Sequence, residues 1–181
     1  MIVIVLMFFL VILFLIFMMN FYRRISMTDA QTGLKNYRWF VKHIELFVAK
    51  SQKYSNFIFS VALIDIVNFR RFNNLNISAG DKILEKFAKE LDSFFENKSS
   101  TVIRYRLGDE FAIIFNMKNQ VEANQMLVDF THHLNEIKFK NSFNNEFEKV
   151  CIRYYVSQFA SPDDYESYIM RLEEGLVSKK E

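Results

Sequence analysis

The chain opens on an unbroken apolar run, Met1 to Met19, which reads MIVIVLMFFLVILFLIFMM and contains no charge, Gly, Pro, Ser or Thr. As a helix rising 1.5 Å per residue it would span about 28 Å, close to the roughly 30 Å of a bilayer's hydrocarbon core. A soluble helix is normally apolar along one stripe only. The pattern therefore predicts a transmembrane helix over 1–19. Arg23 and Arg24 follow, and no acidic residue occurs before Asp29. Positive charge beside a span favours the cytoplasmic side. The expectation is a single-pass protein of the inner (cytoplasmic) membrane, with residues 20–28 as a juxtamembrane linker and residues 29–181 as one cytosolic domain.

Past the linker the hydrophobic period changes. Asn36 can cap a helix that carries Trp39, Phe40, Ile44, Phe47 and Val48 on one face. Phe57 to Ile64 (FIFSVALI) is an almost continuous apolar run that stops at Asp65, as in a central strand covered on both faces. Asp81 can cap a second helix with the stripe Ile83, Leu84, Phe87, Leu91 and Phe94. Val102–Leu107 and Phe111–Phe115 are β-rich and flank Gly108-Asp109-Glu110, a hairpin signal. Helical spacing returns at Ala123, Leu127, Phe130, Leu134 and Ile137. Val150–Val156 then alternates as a strand, and Tyr165–Val177 reads as a helix. Interleaved strands and helices with one internal hairpin predict an α/β or α+β fold, a sheet flanked by helices.

Composition narrows the function. A net charge of +2 with no dominant basic patch argues against a nucleic-acid partner. The single cysteine, Cys151, excludes an intramolecular disulfide and a Cys-built zinc site. His132 and His133 are adjacent and point apart on a helix, so they form a solvated face rather than a metal pair.

The chemistry lies in the acids. Asp65 ends the apolar run, and Asp109 with Glu110 occupies the hairpin tip. Neighbouring strands would bring these carboxylates close together, and hard oxygen ligands of this kind suit Mg²⁺, which takes one or two protein carboxylates plus phosphate oxygens and water. The plainer possibility is a strand end and an acidic turn. Gly33, Gly80 and Gly108 each fall in a short polar segment beside an acid, where glycine either permits a tight turn or lets the backbone approach a ligand.

Four segments carry a family resemblance. Asp29-Ala-Gln-Thr-Gly-Leu-Lys-Asn36 resembles the DxLTGLxN opening of GGDEF domains, the diguanylate cyclase family. Leu63-Ile-Asp-Ile-Val-Asn-Phe-Arg-Arg-Phe-Asn73 is similar to that family's DIDxFKxxN, Gly80-Asp-Lys-Ile-Leu84 to its GDxxL, and Leu107-Gly-Asp-Glu-Phe111 to the signature itself. The four occur in the family's order. The resemblance implies a nucleotide-cyclase-like palm fold that joins two GTP into cyclic di-GMP with release of pyrophosphate. The reaction needs Mg²⁺ or Mn²⁺ and a homodimer in which two protomers face each other.

Carried over residue by residue, the resemblance makes Asp65, Asp109 and Glu110 catalytic. It assigns the metal to Asp65, Asp109 and the carbonyl of Ile66. Asn73 and Asp81 would read the guanine edge; Phe69, Arg70 (where the family has Lys), Gly108 and Lys180 would serve the rest of the substrate. Some positions depart from the family. The first signature glycine is either replaced by Leu107 or deleted, and Val67 replaces the second Asp of DID. The stretch from Asn73 to Gly80 is one residue shorter than the family's. No RxxD pair, the family's product-inhibition site, occurs at 97–101. The expected function is a membrane-anchored diguanylate cyclase under the control of a regulatory protein or of dimerisation. The alternative is a degenerate GGDEF scaffold that holds GTP or a protein without turnover, and behind it a palm-type enzyme with another nucleotide product.

Overall fold

A computed structural model describes residues 2–75, 77–106, 108–140 and 146–179; for 2–5, 20, 23–25, 73–75 and 77 it describes backbone alone. Helix α1 (Ile2–Ile25) is continuous, so helical backbone extends past Met19 into the stretch expected to be a linker. Its side chains from Leu6 to Phe17 are all exposed. Among the described residues no helix is long and apolar enough to cross a membrane. The transmembrane helix expected over 1–19 is not shown among them.

Asn36 caps α2 (Tyr37–Lys53) as expected, its side chain accepting from the Trp39 N–H, and the helix buries Phe40, Ile44 and Val48. Strand β1 (Phe59–Ile66) is buried at every position. A short helix α3 (Arg70–Leu75) precedes α4 (Ile77–Phe95). Helix α4 begins four residues before Asp81, which therefore lies inside the helix and not at its cap. Ala79 and Gly80 are both buried in that first turn, and packing there outweighs the roughly 1 kcal/mol that glycine costs a helix.

Strands β2 (Ser100–Arg104) and β3 (Glu110–Asn116) form the expected hairpin. β2 stops at Arg104, short of the expected Leu107, with one further cross-strand bond from the Tyr105 N–H to the Glu110 carbonyl before the turn. Leu107 itself lies outside the described residues. Helix α5 (Gln120–Glu136) starts at a capping box of Asn119 and Glu122. A two-residue ladder, β4 (Phe139–Lys140) with β5 (Phe147–Glu148), was not foreseen. Strand β6 (Ile152–Gln158) and helix α6 (Tyr165–Val177), capped by Asp164, complete the chain.

The main sheet has the order β2-β3-β1-β6, with every neighbouring pair antiparallel. β1 is central and both its faces are covered, as its composition required. Ala62, Ile64 and Ile66 join the layer of α4 and α5, with Phe87, Phe111 and Phe130 at its centre. Phe59, Val61 and Leu63 join the opposite layer, with Phe40, Tyr168 and Leu172. These two apolar layers fix the strand register. Asp65 comes to stand between Glu110 on β3 and Arg153 on β6.

Candidate active site

Asp65, in the penultimate position of β1, is 3% exposed, the most buried acid among the described residues. Its neighbours follow from the register. Glu110 is its partner across β3, and the Ile66 N–H reaches the Asp109 carbonyl at 3.4 Å. Asp65, Ile66, Asp109 and Glu110 thus meet at one end of the sheet. Asp109 and Glu110 are half-buried.

Gly108 sits in the hairpin at φ +108°, a conformation that L side chains rarely adopt, while the space around its α-carbon is open. Turn geometry, and no close contact within this chain, demands the glycine. Gly33 serves the first motif in the same way at φ +74°, in a turn where Asp29 accepts from the Thr32 N–H and hydroxyl.

The other expected residues are placed differently. Asp81 accepts a 2.8 Å hydrogen bond from the Gln31 amide, which ties the 29–36 segment to α4. Arg70 is exposed at the start of α3. Phe69 is 8% exposed and its ring packs against Phe72 in the core, so it presents no side chain to a ligand. The side chain of Asn73 and the whole of Lys180 lie outside the described residues.

Two arginines escaped the sequence reading. Arg153 Nη2 donates to both Asp65 carboxylate oxygens, at 3.1 and 3.0 Å, while its Nε is buried without a partner. Arg104 is 6% exposed, lies over the Phe111 ring and leaves Nη1 buried without a partner. Burial lowers its pKa, and the nearby Asp29, Asp109 and Glu110 oppose that shift. It remains a cation. With Asp29, Asn36, Tyr37 and Arg106 it lines a cleft of about 490 Å³ beside the hairpin. The hairpin is also tethered to α6, where Glu173 accepts from the Tyr105 hydroxyl at 2.7 Å and pairs with Arg106. Burial, then that hydrogen bond, drives the Tyr105 phenol far above its usual pKa. Alternation in β2 and β6 offered these charges as strand positions; their partners are visible only once the register is known.

The family profile described as "Diguanylate cyclase, GGDEF domain" matches residues 26–181. The chain belongs to the GGDEF family. Solved GGDEF structures share its fold. The GGDEF domain of DgcB from Caulobacter crescentus, in complex with c-di-GMP, superposes with a TM-score of 0.78 at 20% identity, over 86% of this chain and 88% of that one. The coiled coil and GGDEF domain of DgcB give 0.85 at 20% identity, over 93% and 88%. That coverage exceeds what residues 26–181 alone can supply, so it includes part of α1. Diguanylate cyclase SiaD of Pseudomonas aeruginosa, in complex with its activator SiaC, gives 0.78 at 19% identity, over 92% and 63%. No curated protein matches in sequence.

A divalent metal is usual in GGDEF cyclases, and the donors here are of the right kind. Asp65, Asp109 and the Ile66 carbonyl are hard oxygens brought to one sheet end, and Mg²⁺ commonly takes only one or two carboxylates. Among the described residues no three acidic or histidine side chains converge on one point. Of these donors Asp65 already carries a cation, the Arg153 guanidinium on its carboxylate.

Proposed function

We propose that this GGDEF protein is a membrane-anchored diguanylate cyclase that condenses two GTP into cyclic di-GMP and releases pyrophosphate. One observation carries the proposal: the register that sets Asp65 beside Glu110 while Asp109 closes over Ile66. Asp65, Asp109 and the Ile66 carbonyl would hold Mg²⁺ or Mn²⁺. Such an ion, when bound, neutralises charge on the triphosphate and lowers the pKa of an attacking hydroxyl. Glu110 would stand beside the 3′-hydroxyl, and Gly108 keeps the hairpin crest free of side chain. Asp81, held by Gln31, and Asn73 would read guanine, and Arg70 and Lys180 would meet phosphate.

Each site supplies half of a reaction centre, so two protomers must face one another. The apolar run of α1 supports an anchor in the inner membrane, with residues 1–19 as the span and the GGDEF domain of residues 29–181 in the cytosol. A span lacking Gly, Ala and Ser offers no seam for tight pairing, which leaves dimerisation to membrane confinement or to a regulatory protein.

A second reading is favoured by the Arg153 pair: a degenerate GGDEF scaffold that holds nucleotide without turnover, because an internal cation already sits on Asp65. Product analysis of the full chain reconstituted at high surface density in liposomes, domain outward, with GTP and Mg²⁺ decides between them. Cyclic di-GMP accumulating in proportion to protein supports the cyclase; GTP binding without product supports the scaffold.

A further inference from the structure

The position of Arg153 has no counterpart in the motifs that point to GTP chemistry. It lies on β6, directly across from Asp65, and one of its nitrogens bridges both carboxylate oxygens. The two partners differ in their surroundings: the Asp65 side chain is 4% exposed and that of Arg153 26%. A carboxylate buried this deeply needs a counter-charge at all times. The geometry is nonetheless that of a loose holder. A fork would use two nitrogens in parallel, whereas here Nη2 alone serves both oxygens and Nε is left buried without a partner. Arg153 is also one of the residues, with Gln120, Asn124, Tyr155 and Lys179, that line a cavity of about 470 Å³. A contact made through one nitrogen, by a residue that borders open space, is one that an arriving cation can displace.

We propose that Arg153 is the resident counter-cation of Asp65 and competes with the divalent metal for that carboxylate. This rests on the reading of Asp65 as a metal ligand. A metal ion arriving at Asp65 meets a fixed positive charge and must displace it. The metal site is then weak while Arg153 is seated, and the guanidinium supplies the missing charge whenever the metal is absent. Arg153 is a positioning residue here, acting through Asp65.

The test is Mn²⁺ binding, followed by electron paramagnetic resonance on the full chain in nanodiscs without nucleotide. Arg153→Gln is expected to bind Mn²⁺ about tenfold more tightly or better, through removal of a like charge a few ångströms from the ion. Arg153→Lys, which keeps the charge, stays weak, and so does Arg38→Gln, which removes an exposed charge elsewhere. Adding Asp65→Asn to Arg153→Gln abolishes the gain and locates the ion. A folded Arg153→Gln variant with unchanged Mn²⁺ affinity overturns the proposal, as does a gain that survives Asp65→Asn. If Arg153→Gln does not fold, Arg153→Lys and the wild type are compared with Asp65→Asn: a wild-type Mn²⁺ site as tight as that of Arg153→Lys and lost in Asp65→Asn supports competition by charge, and a wild-type site unaffected by Asp65→Asn overturns it. Turnover is read separately. A tightened Mn²⁺ site with no cyclic di-GMP keeps this inference and defeats the cyclase reading. Product formation with unchanged Mn²⁺ affinity does the reverse.

Discussion

The two ends of β1 are equally buried and chemically opposite. At one end Phe59 lies among Phe47, Phe57, Phe159 and Tyr168, with ring centroids 5.3–6.2 Å apart. At the other, a few residues along, Asp65 lies between Glu110 and Arg153. Aromatic packing is non-directional enough to hold its end together without help from outside. An ionic end must keep every charge matched and becomes sensitive to whatever ion or ligand arrives. Burial alone says nothing about which end does chemistry; the kind of group buried does.

Four experiments set the two ends against each other. Phe59→Ala is expected to cost about 3–5 kcal/mol, since it empties a fully buried ring site. Chemical denaturation measures it, and a loss below about 1 kcal/mol would mean that the aromatic end collapses easily onto the gap. Arg153→Ala in metal-free buffer strands the Asp65 carboxylate; with the arginine itself a quarter exposed, about 1–3 kcal/mol is expected, less than for a fully buried pair. Added Mn²⁺ should restore part of that loss by binding the folded state, and thermal melts with and without the ion read it.

The aromatic end also holds polar contacts, among them the Tyr168 hydroxyl donating to the Ser157 carbonyl at 2.7 Å. Tyr168→Phe should cost about 1 kcal/mol, and burial that already raises this phenol's pKa makes the loss independent of pH through the neutral range. The sign follows: a raised phenol stays neutral in both folded and unfolded protein below its ordinary pKa, so no proton moves on unfolding there. Asp109→Ala is expected to change stability least, by about 1 kcal/mol or less, because it removes a half-buried turn carboxylate and no core contact. Turnover of GTP should vanish with it. An Asp109→Ala variant that still makes product at the wild-type rate would remove Asp109 from the metal set.

Much of the apolar end was legible in the sequence. FIFSVALI announces a strand covered on both faces, and the stripes of α2 and α4 announce what covers it. The ionic end was only half legible. Asp65, Asp109 and Glu110 stand at a strand end and a turn, where chain order displays them. Arg153 stands mid-strand among Ile152, Tyr154 and Tyr155, and only strand register reveals that it faces Asp65. The same holds for Glu173, whose bond to Tyr105 spans 68 residues of sequence. The start of α4 was misplaced for a different reason: glycine and serine at 78–80 look like a turn until tertiary packing supplies the stabilisation that their propensities lack.

The junction after α1 is laced by hydrogen bonds from end to end. The Ser26 N–H still bonds the Tyr22 carbonyl, and the Asn36 amide then clasps the carbonyls of Ser26 and Thr28 at 3.0 and 3.1 Å. Lys35 bridges back to Thr28 on one side and to Ile103 on the other, and the Arg104 N–H bonds the Lys35 carbonyl at 2.7 Å. The path from the end of α1 to the strand that leads into the signature hairpin is therefore a short series of backbone hydrogen bonds joined by the Asn36 side-chain amide. The end of α1 and β2 are thus held in a fixed relation through residues 26–36. A glycine pair inserted between Ile25 and Ser26 would break the helix-end bond from Ser26 to Tyr22 while leaving the Asn36 clasp in place.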